Sequence, residues 1–186
     1  MERRRLEPLP LWFTLRPGAV PVRQGEATGG PWVVESGALR ESIVTPEGRE
    51  LTVRILGPGD VVGEPDGSPP TTTVRTIRPT SLRVVSAAGA SALLAERARH
   101  ATLLAADLAW SNVSHRLERR LGELADRFGC PTDDGVLILL PLTHDDLASL
   151  TGATRESVTR TLATLSKRGR IRVAGRGRFV VRTESS

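Results

Sequence analysis

One cysteine, Cys130, is all that the 186 residues contain, so an internal disulfide and any multi-cysteine cluster are excluded. A lone thiol becomes reactive only with a lowered pKa. Cys130, ahead of Pro131 in a predicted loop, therefore reads as a small apolar residue before it reads as a redox switch. No apolar run approaches the ~20 residues of a membrane span. Met1-Glu2-Arg3-Arg4-Arg5-Leu6 is basic, but no apolar h-region follows it, so the expected location is cytoplasmic. The histidines, His100, His115 and His144, are scattered, and no serine or cysteine sits in a nucleophile motif. Asp145 and Asp146 read as negative charge at a helix N-terminus rather than as an acid–base pair. No catalytic residue, metal ligand or cofactor is assigned, and an enzyme is not expected. Lysine is nearly missing too: Lys167 stands alone, and arginine supplies the remaining positive charge.

The formal charge is +5 and the sequence pI about 11.0, which favours an anionic partner without choosing between DNA, RNA and lipid headgroups. Hydrophobic residues make up 39%, enough to pack one ordinary domain or two small ones.

The most informative stretch runs from Leu142 to Phe179. Thr143 with Asp146 three residues on is a carboxylate form of the capping box, and Leu147, Ala148 and Leu150 follow as a short helix. Gly152 supplies a tight turn. Thr154 caps a second helix, with Glu156 and Ser157 in its first turn and Lys167 and Arg168 in its last, as the helix dipole prefers; Gly169 ends it. Two helices around a short glycine turn outline a helix-turn-helix. Val158, Leu162 and Leu165 form the inward stripe of the second helix. Glu156, Arg160 and Ala163 then fall on the opposite side, with Arg155 and Thr159 on one flank. Arginine can grip guanine with two hydrogen bonds and glutamate can accept from cytosine N4, so this face suits base edges in a major groove.

Arg170-Ile171-Arg172-Val173 and Arg178-Phe179-Val180-Val181-Arg182 alternate around Ala174-Gly175-Arg176-Gly177, which predicts a basic β-hairpin, a wing. Its arginines, with Lys167 and Arg168, are placed to meet phosphates.

From Leu142 to Ala148 and from Gly152 to Leu162 the chain resembles, without a gap, the C-terminal winged helix of the Crp/Fnr transcription regulators. The resemblance implies base contacts from Arg155, Glu156 and Arg160 on a TGTGA-type half-site. Backbone contacts are expected from Thr143, Thr154, Ser157, Thr159, Lys167, Arg168, Arg170 and Arg176. The iron–sulfur branch of that family uses several cysteines, which this chain lacks.

From Leu9 to Val85 short alternating segments are divided by glycine and proline. Examples are Ala19 to Val22, Trp32 to Glu35, Leu39 to Val44 and Leu51 to Leu56, which predict an antiparallel sandwich or barrel. Pro17-Gly18, Gly25-Glu26, Ser36-Gly37 and Gly59 to Glu64 resemble, in order, the β-roll of cyclic-nucleotide-binding domains. Binders in the family follow Gly-Glu with an arginine motif some ten residues on. Gly63-Glu64 is present, but Pro70-Thr71-Thr72 falls on the arginine motif. Proline brings neither charge nor backbone N–H to a phosphate. Arg75 and Arg78 would have to reach in from other sheet positions. The pocket reads as degenerate, and no cyclic-nucleotide binding is expected.

Between Ala90 and Ser111, Leu94, Ala98, Ala101, Ala105, Leu108 and Asn112 are spaced four, three, four, three, four, a heptad seam. With the family's parallel dimer helix, that seam implies a homodimer. Asn112 then caps a new helix carrying Val113, Leu117, Leu121, Leu124 and Phe128 inward, and the change of register marks a hinge. Pro131 to Gly135 reads as a loop and Val136 to Leu140 as a short apolar strand.

The expected architecture is α+β. Residues 1–88 form an antiparallel, jelly-roll-like β-roll, residues 89–111 a long dimerisation helix, and residues 112–186 a winged helix-turn-helix. The resemblance implies a homodimeric regulator of palindromic double-stranded DNA, an activator meeting RNA polymerase, working without cyclic nucleotide. The alternative is a sensor whose roll takes a different small molecule.

Overall fold

The computed structural model describes residues 12–182 apart from positions 28, 65 and 176; the side chains of residues 87–96 also stand outside the description. Of the site assignments, Arg176 and the side chain of Leu94 lie outside the described residues.

The strands β1 (Trp12–Leu15), β2 (Trp32–Ser36), β3 (Leu39–Val44), β4 (Glu50–Leu56), β5 (Val61–Val62), β6 (Thr73–Thr76) and β7 (Thr80–Val84) come first. The helices α1 (Ala87–Trp110) and α2 (Val113–Phe128) follow. Then come β8 (Gly129–Thr132), β9 (Gly135–Ile138), α3 (His144–Thr151), α4 (Arg155–Lys167), β10 (Ile171–Val173) and β11 (Phe179–Val181). The sheets have the orders β1-β7-β2-β5, β4-β3-β6 and β10-β11-β9-β8. This is the α+β roll, helix and winged helix expected. The chain divides into two compact units, Met1–Arg40 with Leu56–Ala95, and Glu41–Ile55 with Glu96–Ser186.

In the first unit, β7 pairs antiparallel with both β1 and β2. Strand alternation buries Thr80 and Leu82 and exposes Arg83, so that Val22, Val34, Leu39, Leu56, Val62, Val74 and Leu82 form one apolar cluster. Phe13 meets Trp32 edge-on at its margin, ring centroids 5.7 Å apart. The segment Ala19 to Val22 is not a strand: a single bridge, Val22 to Val74, stands there. Pro21 has no N–H to give a ladder.

In the second unit, α1 turns Arg97, His100, Leu104 and Asp107 inward, spaced three, four, three. Leu104 and Asp107 are buried. Glu41 on β3, itself buried, accepts from Arg54 Nε at 2.8 Å and from Arg97 Nη2 at 3.1 Å. His100 Nε2 lies 3.2 Å from the Val53 carbonyl and donates to it, since a carbonyl only accepts. The seam residues Ala98, Ala101 and Ala105 are exposed on another side of α1, and Leu108 is half-buried. Asn112 caps α2 by accepting from His115 N at 2.9 Å, and Leu117, Leu121, Leu124 and Phe128 are buried as their spacing requires.

A further expectation is corrected here. Cys130 and Pro131 belong to β8, which pairs with β9 along its length, and only Asp133 and Asp134 make the turn. The wing is the hairpin expected, β10 pairing antiparallel with β11, and β11 pairs with β9 as well. The turn Ala174–Gly177 is tied to the strand before α3, with Leu142 N donating to Gly177 O at 2.8 Å.

Gly177 has φ +69°, and a Cβ there would stand 2.7 Å from the Leu142 carbonyl oxygen. Gly152 has φ +59°, but its Cβ would meet only the movable Leu108 Cδ2, at 2.9 Å. Both alanine variants carry left-handed strain of about 1–2 kcal/mol. Gly177→Ala adds a backbone collision, so denaturant unfolding is expected to rank it the less stable; the reverse order would contradict the packing described.

Burial pushes the His100 imidazole below its ordinary 6.5. The Val53 hydrogen bond and Glu123 oppose this, while Arg120 and Arg54 add to it. The folded state thus favours the neutral ring, and below about pH 6.5 the unfolded chain binds the extra proton. Stability is full above that value and is lost as pH falls toward the lower folded pKa. His100→Gln keeps a donor for Val53 and removes the titration. Its melting temperature is expected to fall less than that of the unsubstituted protein between about pH 7.5 and 5. Parallel pH profiles would rule the account out.

Candidate nucleic-acid interface

The site is assembled by three caps and one stripe. Thr143 Oγ1 accepts from Asp146 N at 3.1 Å while Asp146 Oδ2 accepts from Thr143 N at 2.8 Å, a reciprocal capping box that starts α3. Gly152 ends α3 in the left-handed conformation and donates to Ala148 O. Thr154 Oγ1 accepts from Ser157 N at 3.2 Å and starts α4. Val158, Leu162 and Leu165 are buried at 4% exposure or less. That burial turns Arg155, Glu156, Thr159, Arg160 and Ala163 to the surface, where all five are exposed.

Several side chains tie this face together. Thr159 Oγ1 donates to Arg155 O at 2.9 Å, so its single proton is committed, and His144 Nδ1, 2.8 Å away, must be the donor in the second bond. Asp145 Oδ2 stands 3.6 Å from Arg155 Nη1, both groups largely exposed. Thr154 Oγ1 bonds Ser157 Oγ at 3.1 Å, and Arg160 Nη2 reaches the same serine at 3.5 Å. Arg155 is thus braced from α3, and Arg160 from within α4.

The basic residues expected to meet phosphates divide into two groups. Lys167 and Arg168 are exposed at the end of α4. Arg170 instead pairs with Glu118 of α2 at 2.5 Å, and Arg172 pairs with Asp134 at 3.0 Å. Beside α4 a cleft of about 620 Å³ opens toward the start of α2, lined by Ser114, His115, Ser157, Arg160, Thr164 and Arg168 among others.

One residue has no place in the sequence reading. Arg116 Nε donates to the Thr151 carbonyl at 2.7 Å, closing the C-terminus of α3, and its Nη1 donates to Ser111 O in the α1–α2 junction. Its position one turn beyond the Asn112 cap is the available signal. A cation on α2 can serve carbonyls on either side of it.

Comparison with known proteins agrees with this geometry along the whole chain. The cyclic nucleotide-binding domain model matches residues 12–105, and the Crp-like helix-turn-helix domain model matches residues 115–185. The CRP-like cAMP-activated global transcriptional regulator of Mycobacterium tuberculosis is 31% identical over 180 residues, covering 87% of this chain and 80% of that protein. A CRP/FNR-family transcriptional regulator from Thermus thermophilus superposes with a TM-score of 0.81 at 24% identity, over 92% of this chain and 93% of its own. The c-di-GMP responsive global regulator CLP of Xanthomonas campestris does so with a TM-score of 0.78 at 22% identity, over 92% and 93%. The chain, with its capped helix-turn-helix presenting two arginines and a glutamate to solvent, belongs to the Crp/Fnr family of DNA-binding transcription regulators.

Proposed function

We propose that the protein works as a homodimer on a palindromic, TGTGA-like DNA site in the cytoplasm, as an activator that meets RNA polymerase, and without cyclic nucleotide. The observation that carries DNA reading is the outward face of α4. Arg155, Glu156 and Arg160 are all exposed at its start. Arg155 and Arg160 would take guanine O6/N7, and Glu156 would accept from cytosine N4. Thr143, Thr154, Ser157, Thr159, Lys167 and Arg168 would hold the backbone, and Arg170 would join them only by leaving Glu118. In support of the dimer, Ala98, Ala101 and Ala105 are exposed along α1, and side chains that small let two helices approach closely.

Nucleotide independence rests on the first unit. Pro70 is buried, and its carbonyl accepts from Gly25 N at 2.8 Å, so this position is stitched into the roll. Arg75 is exposed and donates to Gly18 O at 3.2 Å. The M. tuberculosis relative is cAMP-activated by name; position 70 is where this chain parts from the binding pattern. A second reading, a roll serving a different ligand, is favoured by the example of the c-di-GMP responsive regulator, which shares the fold.

Two measurements test these assignments. Titration calorimetry with cyclic AMP and cyclic GMP is expected to show no specific heat, and a micromolar dissociation constant for either would overturn the pocket reading. DNA binding, with no nucleotide added, should be measured on a TGTGA palindrome and its single-base variants at several salt concentrations. Glu156→Ala is expected to cost about 1–3 kcal/mol at particular base pairs and to reorder the variants. Arg168→Ala should lower every affinity alike and reduce the salt slope by about one counterion. If both variants merely scale all affinities, α4 does not read bases.

A further inference from the structure

The junction between α1 and α2 carries a buried ionic cluster that DNA reading does not use directly. Asp107, in the last turns of α1, has a side chain only 1% exposed. Its Oδ2 is in ion-pair contact with Arg119 Nη2 and stands 3.8 Å from Arg120 Nη2, both on α2. Glu123, one turn further along α2, holds Arg120 Nη1 at 2.7 Å and Arg119 Nε at 3.6 Å. The carboxylates and guanidiniums balance in charge. None of Asp107 Oδ1, Asp107 Oδ2, Arg119 Nε and Arg120 Nη2 has a partner with hydrogen-bond geometry, so Coulomb attraction holds Asp107 in place.

Only Ser111 and Asn112 separate the two helices. A two-residue connection leaves only a few soft backbone dihedrals to set the angle between them. Beyond it, α2 buries Leu117, Leu121 and Leu124 in the unit that contains α3 and α4, and Arg116 bridges Ser111 O to Thr151 O. The direction in which α2 leaves α1 is therefore the direction in which the recognition helix is presented.

We propose that Asp107 is a positioning residue, a hinge latch whose grip on Arg119 and Arg120 sets the angle between α1 and the DNA-binding helices and hence the separation of half-sites that a dimer accepts. A buried ion pair adds little net stability over a well-packed apolar contact, but losing one partner strands the other charges. Any change of angle that separates the charges therefore costs more than a comparable slip of apolar surfaces. Its product here is orientation.

The proposal rests on the dimeric DNA reading above, and the test separates the two. Palindromes with the natural spacing, and with one or two base pairs inserted between the half-sites, are compared by binding titration. Each inserted base pair turns one half-site about 35° relative to the other. The unsubstituted protein should prefer one spacing strongly. Asp107→Asn preserves the shape and removes the charge. It is expected to reduce the ratio of best to shifted spacing by roughly two- to thirtyfold, while the ranking of single-base variants stays the same. A loss of stability alone would lower all affinities and leave that ratio unmoved. Should Asp107→Asn not fold, Arg119→Gln decides the matter, since that side chain is 36% exposed and tolerates replacement. An unchanged spacing ratio in a folded variant overturns the latch. An unsubstituted protein indifferent to both base identity and spacing overturns the DNA reading itself.

Discussion

A helix of thirteen residues that buries one stripe must display the opposite one. In α4 the buried stripe is Val158, Leu162 and Leu165, each withdrawing about 1.5–3 kcal/mol of apolar surface from water. Rotating α4 by a third of a turn to hide Arg155 or Arg160 would expose those residues and bury an unpaired guanidinium. The presentation of the reading face is thus a consequence of core packing, and the caps at Thr143 and Thr154 only decide where along the chain it begins. Everything nearby serves that alignment, including Gly152 in its left-handed turn and Arg116 closing the end of α3.

This dependence explains why the DNA-binding part is legible in the residues. Capping and helical stripes are local signals, and Thr143, Asp146, Gly152, Thr154 and the Val158 stripe all act within a few residues of themselves. The strands Leu39 to Val44 and Leu51 to Leu56 are legible for the same reason, since alternation is local too. What escapes is nonlocal. Nothing in Gly129-Cys130-Pro131-Thr132 announces a strand, because it becomes one by pairing with β9. Arg170 has the composition of a phosphate ligand, yet Glu118, 52 residues earlier, claims it. On α1 the alanines at 98, 101 and 105 mark one heptad phase, while Arg97, His100 and Asp107 share the helical period on another. A charged stripe looks solvated in sequence. Only the facing Glu41, Arg54 and Arg120 make it an interior.

In the first unit the fold and the site usually built on it make separate demands on the chain. The apolar cluster of Val34, Leu39, Leu56, Val62, Val74 and Leu82 holds the strands of this unit together. Gly63 keeps its left-handed turn, with φ +90°. A phosphate site asks more of its backbone than a core does, because it needs donors aimed at one point. Pro70 cannot donate, and its carbonyl is already engaged by Gly25. On the nucleotide-independent reading proposed above, that one residue removes the chemistry while the architecture stays intact.

Charge at the hinge behaves differently from charge on the reading face. At the surface, the Asp145–Arg155 pair is screened and weak, so Arg155 can leave it at little cost. At the junction, Asp107 and Arg120 lie where screening is slight, while Arg119 reaches the surface. Leucines at 107, 119 and 120 would pack as firmly, but apolar attraction is nondirectional and would let α2 settle at several angles. A buried carboxylate between two arginines instead penalises any swing of α2 that carries them apart and strands the charge. The same type of interaction is thus labile where exchange with DNA is wanted and rigid where orientation is wanted, and burial alone makes the difference.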